Sequence, residues 1–377
     1  MEVRARELGI VIGELPSGPL NAITDVAGVR VGHTTLIAGD GPLVVGQGPV
    51  RTGVTVILPR GGEIGREPLF AGHHVLNGNG EMTGLLWVEE SGLLTTPIAL
   101  TNTHSVGVVR DALIAHEVRQ TGNDGRLAAI AWSLPVVAET YDGYLNDING
   151  FHVRPEHLFA AIAGATAGPV AEGNVGGGTG MICHGFKGGI GTASRQMAEA
   201  GGWTVGVLVQ ANYGRRGLLR VDGLPVGRSI PASEVPTPGV PPETGSIIVV
   251  VATDAPLLPH QCRRLAQRAT IGLARVGGIG ADSSGDIFLA FSTANTGLAG
   301  DATDATPRPL QMLANEALSP LFEGVAEATE EAILNALCQA TTMTGIDGRV
   351  AWALPLERLR HLVLTPSRAR SAGVTDQ

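Results

Sequence analysis

Residues 245–256 read GSIIVVVATDAP, and the run of side chains from 247 to 252 is apolar without interruption. Successive side chains of a β-strand point to opposite faces of its sheet. A strand built from this run would therefore be apolar on both faces and would have to be covered on both sides. The segment predicts a buried strand over Ser246–Ala252 in a layered α/β architecture.

Further strands and helices are expected on both sides of this segment. Apolar runs bounded by Gly, Pro or Asn predict strands, and apolar residues at helical spacing predict helices. In 108–120, for example, Val109, Ala112, Leu113 and His116 share one helical face. The expected strands are 29–31, 53–58, 97–100, 203–210 and 287–292; the expected helices are 108–120, 155–168, 259–275 and most of 309–342; and 223–243 is an expected surface loop. The pattern leaves the strand order open.

The composition is typical of a folded globular chain. Of 377 residues, 44% are hydrophobic and 16% are charged, so the chain can bury a large core. The net charge of −9 argues against a nucleic-acid-binding protein, which would carry a basic face. The same charge slightly favours cationic or amine-bearing ligands.

Cysteine usage and the lengths of the apolar runs indicate a cytoplasmic protein. Cys183, Cys262 and Cys338 are the only cysteines and form no CxxC pair, so neither a disulfide framework nor a zinc site is supported. The longest apolar run, 247–252, is far too short for a membrane span, and the start of the chain shows no secretory signal. We therefore expect no membrane partner.

The usual cofactor and hydrolase motifs fail when they are tested residue by residue. The glycine-rich segment 173–191 has Cys183 where a dinucleotide fingerprint needs its third Gly, and Lys187, the only lysine, lacks the flanking residues of a phosphate loop. The histidines include no HExxH pair. His104 follows a strand in a polar loop, where a structural role is expected, and 282–285 lacks the first Gly of a hydrolase elbow.

The junction between Gly245 and Ser246 would gain a chemical use if the chain were cut there. Ser246 would then carry both a hydroxyl nucleophile and a free α-amine, as in enzymes with an N-terminal threonine. An α-amine has a pKa of about 7.7–8.0, so much of it is neutral near physiological pH and can act as a base. The alternative, which the local pattern alone favours, is an ordinary junction between a loop and a strand.

Taken together, several segments resemble the L-aminopeptidase/D-esterase family, which includes the β-peptidyl aminopeptidases. The resemblance extends from Asn21 to about Thr342. The matching segments are Ile23–His33 (ITDVAGVRVGH), 53–59, Thr96–Gly107 (TPIALTNTHSVG), Glu139–Asp147 (ETYDGYLND), 173–195, Gln210–Arg215 (QANYGR), Gly245–Pro256 and Ser284–Asn295 (SGDIFLAFSTAN).

The resemblance implies a fold, a processing event and an assembly. The implied fold is a four-layer αββα sandwich that is similar to the N-terminal-nucleophile hydrolases but has a different connectivity. A precursor would cleave itself between Gly245 and Ser246, and residues 1–245 and 246–377 would stay together as a single domain. The family needs no metal or organic cofactor. Its members form homo-oligomers, which here implies a tetramer of cleaved heterodimers.

The resemblance also assigns roles to residues around the reacting carbonyl. Ser246 would attack this carbonyl, and Asn212 would donate a side-chain N–H to the developing oxyanion, a contact typically worth roughly 3–4 kcal/mol of barrier. Tyr141 would help to polarise or protonate the reacting groups and fits the family position better than Tyr144. Without the resemblance, Asn212 could equally be a turn former before Gly214, and Tyr141 a core aromatic residue.

Three further residues would orient the nucleophile and the substrate. Ser284 and Asp286 would orient the amine or hydroxyl of Ser246, although some family members carry Glu at the position of Asp286. Glu139 would pair with the free α-amine of the substrate, which would explain selectivity for an unblocked N-terminus. A non-functional alternative exists here as well, because Asp286 could be a charged residue at a strand edge.

These roles describe an aminopeptidase, amidase or esterase that acts on small peptides, amides or esters through an acyl-enzyme on Ser246. One alternative is acyl transfer, by analogy with self-cleaving ornithine acetyltransferases, although those cleave before a threonine. Another is an uncut, non-catalytic protein that binds amine-bearing ligands. The preference among L-, D- and β-amino acids depends on the shape of the pocket and stays open.

Overall fold

Two β-sheets lie face to face and carry helices on their outer surfaces. The computed structural model describes residues 3–62, 64–121, 132–239, 245–300 and 305–365. The strands are β1 (Arg30–Ala38), β2 (Val50–Leu58), β3 (Leu69–Gly78), β4 (Leu93–Leu94), β5 (Ile98–Asn102), β6 (Val136–Thr140), β7 (Ile182–Cys183), β8 (Phe186–Lys187), β9 (Gly189–Met197), β10 (Trp203–Asn212), β11 (Gly245–Thr253), β12 (Ser284–Ser292), β13 (Met343–Thr344) and β14 (Val350–Ala351). The helices are α1 (Leu85–Ser91), α2 (Val106–Thr121), α3 (Pro155–Ala163), α4 (Pro259–Val276), α5 (Ser319–Cys338) and α6 (Leu356–Leu364).

Sheet I, as far as the chain is described, has the strand order β1-β2-β5-β6. Its first three strands pair in antiparallel fashion. In contrast, β5 and β6 are parallel, and Asn102 lies opposite Thr140 at their carboxyl ends. Because parallel strands end at the same edge of a sheet, the loops that follow β5 and β6 leave sheet I side by side.

Sheet II has the order β4-β3-β12-β11-β10-β9 within the described ranges. The strand predicted from GSIIVVVATDAP is confirmed as β11 and lies inside this sheet. It is parallel to β12, with Gly245 opposite Ser284, and antiparallel to β10, with Ser246 opposite Asn212. The first residues of β11 are therefore fixed by strands on both sides.

Apolar side chains from both sheets fill the space between them. Ile57, Ile98 and Leu100 of sheet I pack there with Ile248 and Val250 of sheet II, all fully buried. Burying one such side chain contributes about 1.5–3 kcal/mol. Val249 and its neighbours at odd positions of β11 face the other way, which explains why this strand is apolar on both faces.

The helices complete the outer layers. Helices α2 and α3 cover the outer face of sheet I, and α4 and α5 cover sheet II. In α4 the buried residues Cys262, Leu265, Ala269 and Leu273 recur every three or four positions, which gives one apolar stripe toward the sheet. The order of layers is helix, sheet, sheet, helix, so the predicted αββα sandwich is confirmed.

A buried glutamine joins the two sheets near the start of β11. The Nε2 group of Gln210, in β10, donates to the carbonyl oxygen of Thr101 at 2.9 Å and to the Thr140 hydroxyl at 2.8 Å. Thr101 and Thr140 belong to sheet I. These bonds hold the carboxyl ends of β5 and β6 close to the end of β10. Predicted site residues at these strand ends are thereby brought near one another.

Most of the predicted elements are confirmed, and the differences have local causes. The helix expected over 155–168 ends at Ala163, where Gly164 follows. Regular α-helix in 309–342 is narrower than expected, because α5 covers only 319–338 and begins with Pro320 in its first turn. The expected loop 223–243 is described only up to residue 239, where it contains one 3₁₀ turn at Val226–Ser229.

Two global expectations can also be compared with the fold. Cys183, Cys262 and Cys338 are free and buried. No helix in the described residues has the length and apolar character needed to cross a membrane.

Candidate active site

Ser246 lies at the head of β11 and its hydroxyl is held by the neighbouring strand. The backbone N–H of Gly285, in β12, donates to Ser246 Oγ at 3.1 Å. The residue is only 6% exposed. A serine hydroxyl fixed by a rigid strand and a main-chain donor has a defined direction, which a nucleophile needs.

Gly245, directly before it, occupies a place where only glycine fits. Its φ of +144° lies in the region that favours glycine. A β-carbon at this position would be 2.2 Å from the carbonyl oxygen of Asn212 and 2.8 Å from the Cα of Tyr213. The glycine is therefore required for close packing against the end of β10, a contact that the sequence alone does not reveal.

Asn212 is oriented at both ends of its side-chain amide. Its Oδ1 accepts a hydrogen bond from the Ile182 N–H at 2.8 Å, and its Nδ2 donates to the Tyr141 carbonyl oxygen at 2.9 Å. An amide NH₂ group has two donor hydrogens. With one hydrogen directed at Tyr141, the other remains for a reacting oxygen beside Ser246, the residue opposite Asn212 across the strand pair.

Glu139 supplies a buried carboxylate on the same side. One oxygen accepts from the Glu81 backbone N–H at 3.0 Å, and the other accepts from the Thr103 hydroxyl. Burial raises the pKa of Glu139, while the hydrogen bonds from Thr103 and Glu81 act in the opposite direction. No guanidinium or ammonium group of the described residues forms an ion pair with it, so a substrate cation could occupy that place.

Tyr141 and Tyr144 both border the site, but they differ in what holds them. The Tyr144 hydroxyl accepts a hydrogen bond from the Gly239 N–H at 3.0 Å, which ties it to the surface loop 223–239. Tyr141 is 52% exposed, and its carbonyl oxygen is the acceptor for Asn212. The main chain of Tyr141 therefore lies beside Asn212, and the preference for Tyr141 over Tyr144 stays a prediction.

Ser284 and Asp286 form a pair on the other face of sheet II. The Ser284 hydroxyl donates to Asp286 Oδ1 at 2.6 Å, and the Ile247 N–H also binds this carboxyl group. Burial raises the pKa of Asp286. The pair shares its face with Phe288, whereas Ser246 shares its face with Ile248. The structure thus brings the pair to the backbone of the junction and away from the Ser246 hydroxyl.

A cavity of about 950 Å³ is lined by several of the predicted site residues. Ser246, Asn212, Tyr141 and Glu139 lie in its wall. The wall also includes Arg216 and residues 237–238 of the surface loop. A space of this volume accommodates a small peptide or an aminoacyl amide.

The chain is similar to known proteins over most of its length. Residues 21–351 match the family described as Peptidase family S58. The chain belongs to peptidase family S58. Among its relatives, the beta-peptidyl aminopeptidase BapA of Sphingosinicella microcystinivorans is 51% identical over 98% of this chain and 94% of the relative.

Solved structures of aminopeptidases are also similar to this S58 peptidase. A beta-aminopeptidase of Burkholderia sp. matches with a TM-score of 0.88 and 56% identity, over 97% of this chain and 100% of the other. The L-aminopeptidase D-Ala-esterase/amidase of Ochrobactrum anthropi matches with a TM-score of 0.86 and 44% identity, over 95% and 97%. That protein is described as a prototype serine aminopeptidase with a variant of the Ntn hydrolase fold. The predicted family and the class of a serine aminopeptidase are confirmed.

Two other features of the S58 peptidase that were considered from the sequence, His104 and a metal site, do not contribute to this cavity. His104 is exposed; its ring stacks on Phe151 with centroids 6.0 Å apart, and its backbone N–H binds Asn102. Within the described residues, no group of three His, Cys, Asp or Glu side chains could hold a metal ion. These contacts of His104 are compatible with the structural role that the sequence predicts for it.

Several contributors were missed by the sequence analysis. The N–H groups of Gly285 and Ile182 act through the main chain, and Thr103 acts through a hydroxyl beside the histidine that drew attention. Main-chain donors leave no signal in residue type. Thr103 could have been found, since it follows the predicted strand 97–100 closely and lies within a segment of the family resemblance.

Proposed function

We propose that this S58 peptidase cleaves itself between Gly245 and Ser246 and then releases N-terminal residues from small peptides, amides or esters through an acyl-enzyme on Ser246. The observation that carries the proposal is the convergence of the Ser246 hydroxyl, the Asn212 amide and the Glu139 carboxylate on one cavity. The two products, residues 1–245 and 246–377, stay together as one αββα domain.

Self-cleavage is an acyl shift followed by hydrolysis. Ser246 Oγ attacks the Gly245 carbonyl carbon, the peptide C–N bond breaks, and the amine of Ser246 takes up a proton as an ester forms. Water then hydrolyses the ester and leaves a carboxylate on Gly245. Gly245 supports this step, because its close packing against the backbone of Asn212 and Tyr213 holds the residue before the scissile bond beside the end of β10.

Turnover of a substrate uses the same geometry. The carboxylate of Glu139 binds the substrate ammonium group, which positions the neighbouring carbonyl carbon at Ser246 Oγ. The free amine of Ser246 accepts the hydroxyl proton during attack. Asn212 Nδ2 donates to the developing oxyanion, and Tyr141 assists at the leaving group. Water finally releases the acyl group from Ser246.

Ser284 and Asp286 would act on the amine rather than on the hydroxyl. Their hydrogen-bonded pair lies on the far face of sheet II and contacts the strand backbone at Ile247. A carboxylate that binds the backbone N–H of Ile247, the residue after the new N-terminus, can orient the α-amine as a base. The burial of Asp286 supports a specific electrostatic role over that of an edge charge.

Denaturing electrophoresis with N-terminal sequencing tests the proposal. The purified protein should give two fragments that begin at residues 1 and 246, and both should co-purify under native conditions. Ser246→Ala should give a single 38.8 kDa chain without activity. A fully active preparation that is uncut would contradict the proposal, and so would activity in the alanine variant.

Residues with a β-amino group are the favoured substrates. The relatives named for β-peptides or β-amino acids are 51% and 56% identical to this chain, whereas the L-aminopeptidase D-Ala-esterase/amidase is 44% identical. A panel of L-, D- and β-aminoacyl p-nitroanilides measures the preference directly. The highest kcat/KM is expected for a β-aminoacyl member, and a clear preference for an L-aminoacyl member would reverse this assignment.

A cytoplasmic homo-oligomer is the proposed working state. Free buried cysteines are compatible with a reducing compartment. Exposed apolar side chains such as Leu86 and Val45 offer contact surface for further copies. Light scattering after size exclusion is expected to show a tetramer of cleaved heterodimers, and a monomeric mass would contradict this.

A further inference from the structure

The only lysine of the chain is completely buried and makes three hydrogen bonds to main-chain carbonyl groups. Lys187 Nζ donates to Met181 O at 2.8 Å, to Gly188 O at 2.8 Å and to Gly178 O at 3.3 Å. An ammonium group has three donor hydrogens, so all of them are used. None of the described carboxylates forms an ion pair with it, which is unusual for a buried cation.

This setting makes Lys187 costly for the fold. Burial lowers the pKa of Lys187 to about 7, an effect that Cys183 and Asp142 partly oppose. An apolar side chain at the same place would avoid the loss of hydration. The location of the three carbonyl groups indicates what the lysine does instead.

One of these carbonyl groups belongs to the peptide that orients Asn212. Lys187 binds the oxygen of the Met181–Ile182 peptide, and the N–H of that same peptide donates to Asn212 Oδ1 at 2.8 Å. We propose that Lys187 is a positioning residue that orients and polarises the Asn212 amide through this peptide. The inference rests on the proposed role of Asn212 as the oxyanion donor.

The effect follows from the direction of the hydrogen bonds. A donor at the carbonyl oxygen of an amide makes its N–H a stronger donor, and the strengthening passes along a series of hydrogen-bonded amides, by about 10–30% per bond. The series begins at the Lys187 ammonium, runs through the peptide between Met181 and Ile182, and ends at Asn212 Nδ2. A positive charge at its start therefore increases the attraction of Asn212 for a negative oxygen.

Lys187 also fixes the position of this peptide. Its bonds to Gly178 and Gly188 hold the two segments that flank the short β7–β8 hairpin. The Gly188 N–H donates to the same Met181 oxygen at 2.9 Å. Without the ammonium group, the hairpin would lose three of the contacts that direct the Ile182 N–H at Asn212.

The test compares Lys187→Met, Asn212→Ala and the double variant, with turnover expressed per cleaved chain. Lys187→Met keeps the length of the side chain and removes the charge and the donors. We expect kcat to fall about five- to tenfold with KM almost unchanged, and self-cleavage to slow by a similar factor. In the Asn212→Ala background the lysine substitution should have little further effect on kcat. An undiminished fall in that background would overturn the inference.

Cys183→Ala serves as a matched control, because Cys183 is also buried beside Lys187 but forms no part of the series of hydrogen-bonded amides. Its kcat should stay within twofold of the unmodified enzyme; a loss as large as that of Lys187→Met would assign the effect to packing alone. These outcomes are separable from failure of the proposed function, which would appear as activity in Ser246→Ala.

A measurement on the unsubstituted lysine covers the case in which Lys187→Met does not fold. Because the chain has one lysine, protein made with ¹³C-labelled lysine gives a single side-chain resonance whose titration reports the pKa of Lys187. An aminoalkyl boronate that forms a tetrahedral anion on Ser246 should raise this pKa, and the rise should be smaller in Asn212→Ala. An equal rise in both proteins, or none in either, would overturn the inference.

Discussion

Glu139 in the cavity and Glu331 beside β9 are both buried carboxylates, yet their surroundings are opposite. Glu331 accepts from Arg6 at 2.7 Å, from Arg195 at 2.8 Å and from Asn21 at 2.6 Å. Those partners lower the pKa of Glu331 despite its burial. Glu139 has only neutral donors, and burial raises its pKa. The difference teaches that a charge fully compensated within the chain serves the fold, while one left without a cation is available to a ligand.

The largest expected effect is on kcat, and it should distinguish alanine variants of two asparagines that make similar hydrogen bonds. Asn335, in the Glu331 region, accepts from the Ala5 N–H at 3.1 Å and donates to Thr192 O at 2.9 Å, much as Asn212 binds Ile182 and Tyr141. Asn212→Ala should lower kcat by about 10²–10³-fold, because it removes an oxyanion donor. Asn335→Ala should leave kcat per cleaved chain unchanged and lower the unfolding free energy by about 1–3 kcal/mol. Steady-state kinetics and denaturant unfolding measure both, and similar kinetic losses in the two variants would break the comparison.

The second-largest effect is expected when each of the two carboxylates is neutralised by substitution with glutamine. Glu139→Gln should lower kcat/KM for amine-bearing substrates by about 30-fold or more, equivalent to about 2 kcal/mol, because the substrate ammonium loses its partner. Its unfolding free energy should change by less than about 1 kcal/mol. Glu331→Gln should instead destabilise the fold by about 3–5 kcal/mol, since it leaves buried guanidinium groups without their partner. The comparison fails if Glu139→Gln is the variant that unfolds more easily.

The pH dependence of stability should differ in sign between the two sites. The pKa of Glu139 is higher in the folded state, so its contribution is present below the ordinary Glu value of 4.5 and is lost as the pH rises through the raised pKa. The pKa of Glu331 is lowered, so its contribution is present above 4.5 and is lost as the pH falls through the lowered pKa. Unfolding free energies of the Ser246→Ala precursor and its Gln variants, measured from pH 3 to pH 8, report both slopes. Slopes of the same sign would contradict the assignment.

The smallest effect concerns the neutral donor of Glu139. Thr103→Val removes a hydroxyl that binds the carboxylate and should raise KM for amine-bearing substrates by about three- to tenfold, with a small change in kcat. Thr101→Val is the control, because its hydroxyl binds Gly53 O at 2.9 Å, away from the cavity. An increase in KM for the control as large as that for Thr103→Val would show a general disturbance of β5.

The sequence predicted secondary structure well where the pattern of side chains has a single structural explanation. The apolar run in β11 predicted a strand covered on both faces, and the structure confirms it. β3 was missed, although it lies beside β12 in sheet II, because His73, His74 and Asn77 interrupt its apolar pattern. Strand order was also beyond reach, since it depends on contacts between residues that are distant in the chain.

For the candidate site, the side chains could be predicted from the sequence but the contacts that orient them could not. The side chains around the cavity came from the family resemblance, whose segments each carry a distinctive residue. The contacts that orient them could not be read in the same way, because the donors at Gly285 and Ile182 are main-chain groups common to every residue. Lys187 was noticed as the only lysine, but its role depends on which carbonyl groups the glycine-rich segment places around it.

The location of the junction at the head of β11 has a consequence for how the mature enzyme is built. Strands β11 and β12 lie between β10 and β3, so residues 246–377 would supply the middle of sheet II and residues 1–245 both of its flanks. After cleavage, neither polypeptide would contain all the strands of sheet II. Thermal denaturation of the mature protein would then be a dissociation whose midpoint rises with protein concentration, and reassembly would be second order, whereas the uncut Ser246→Ala precursor would not need to find a second chain.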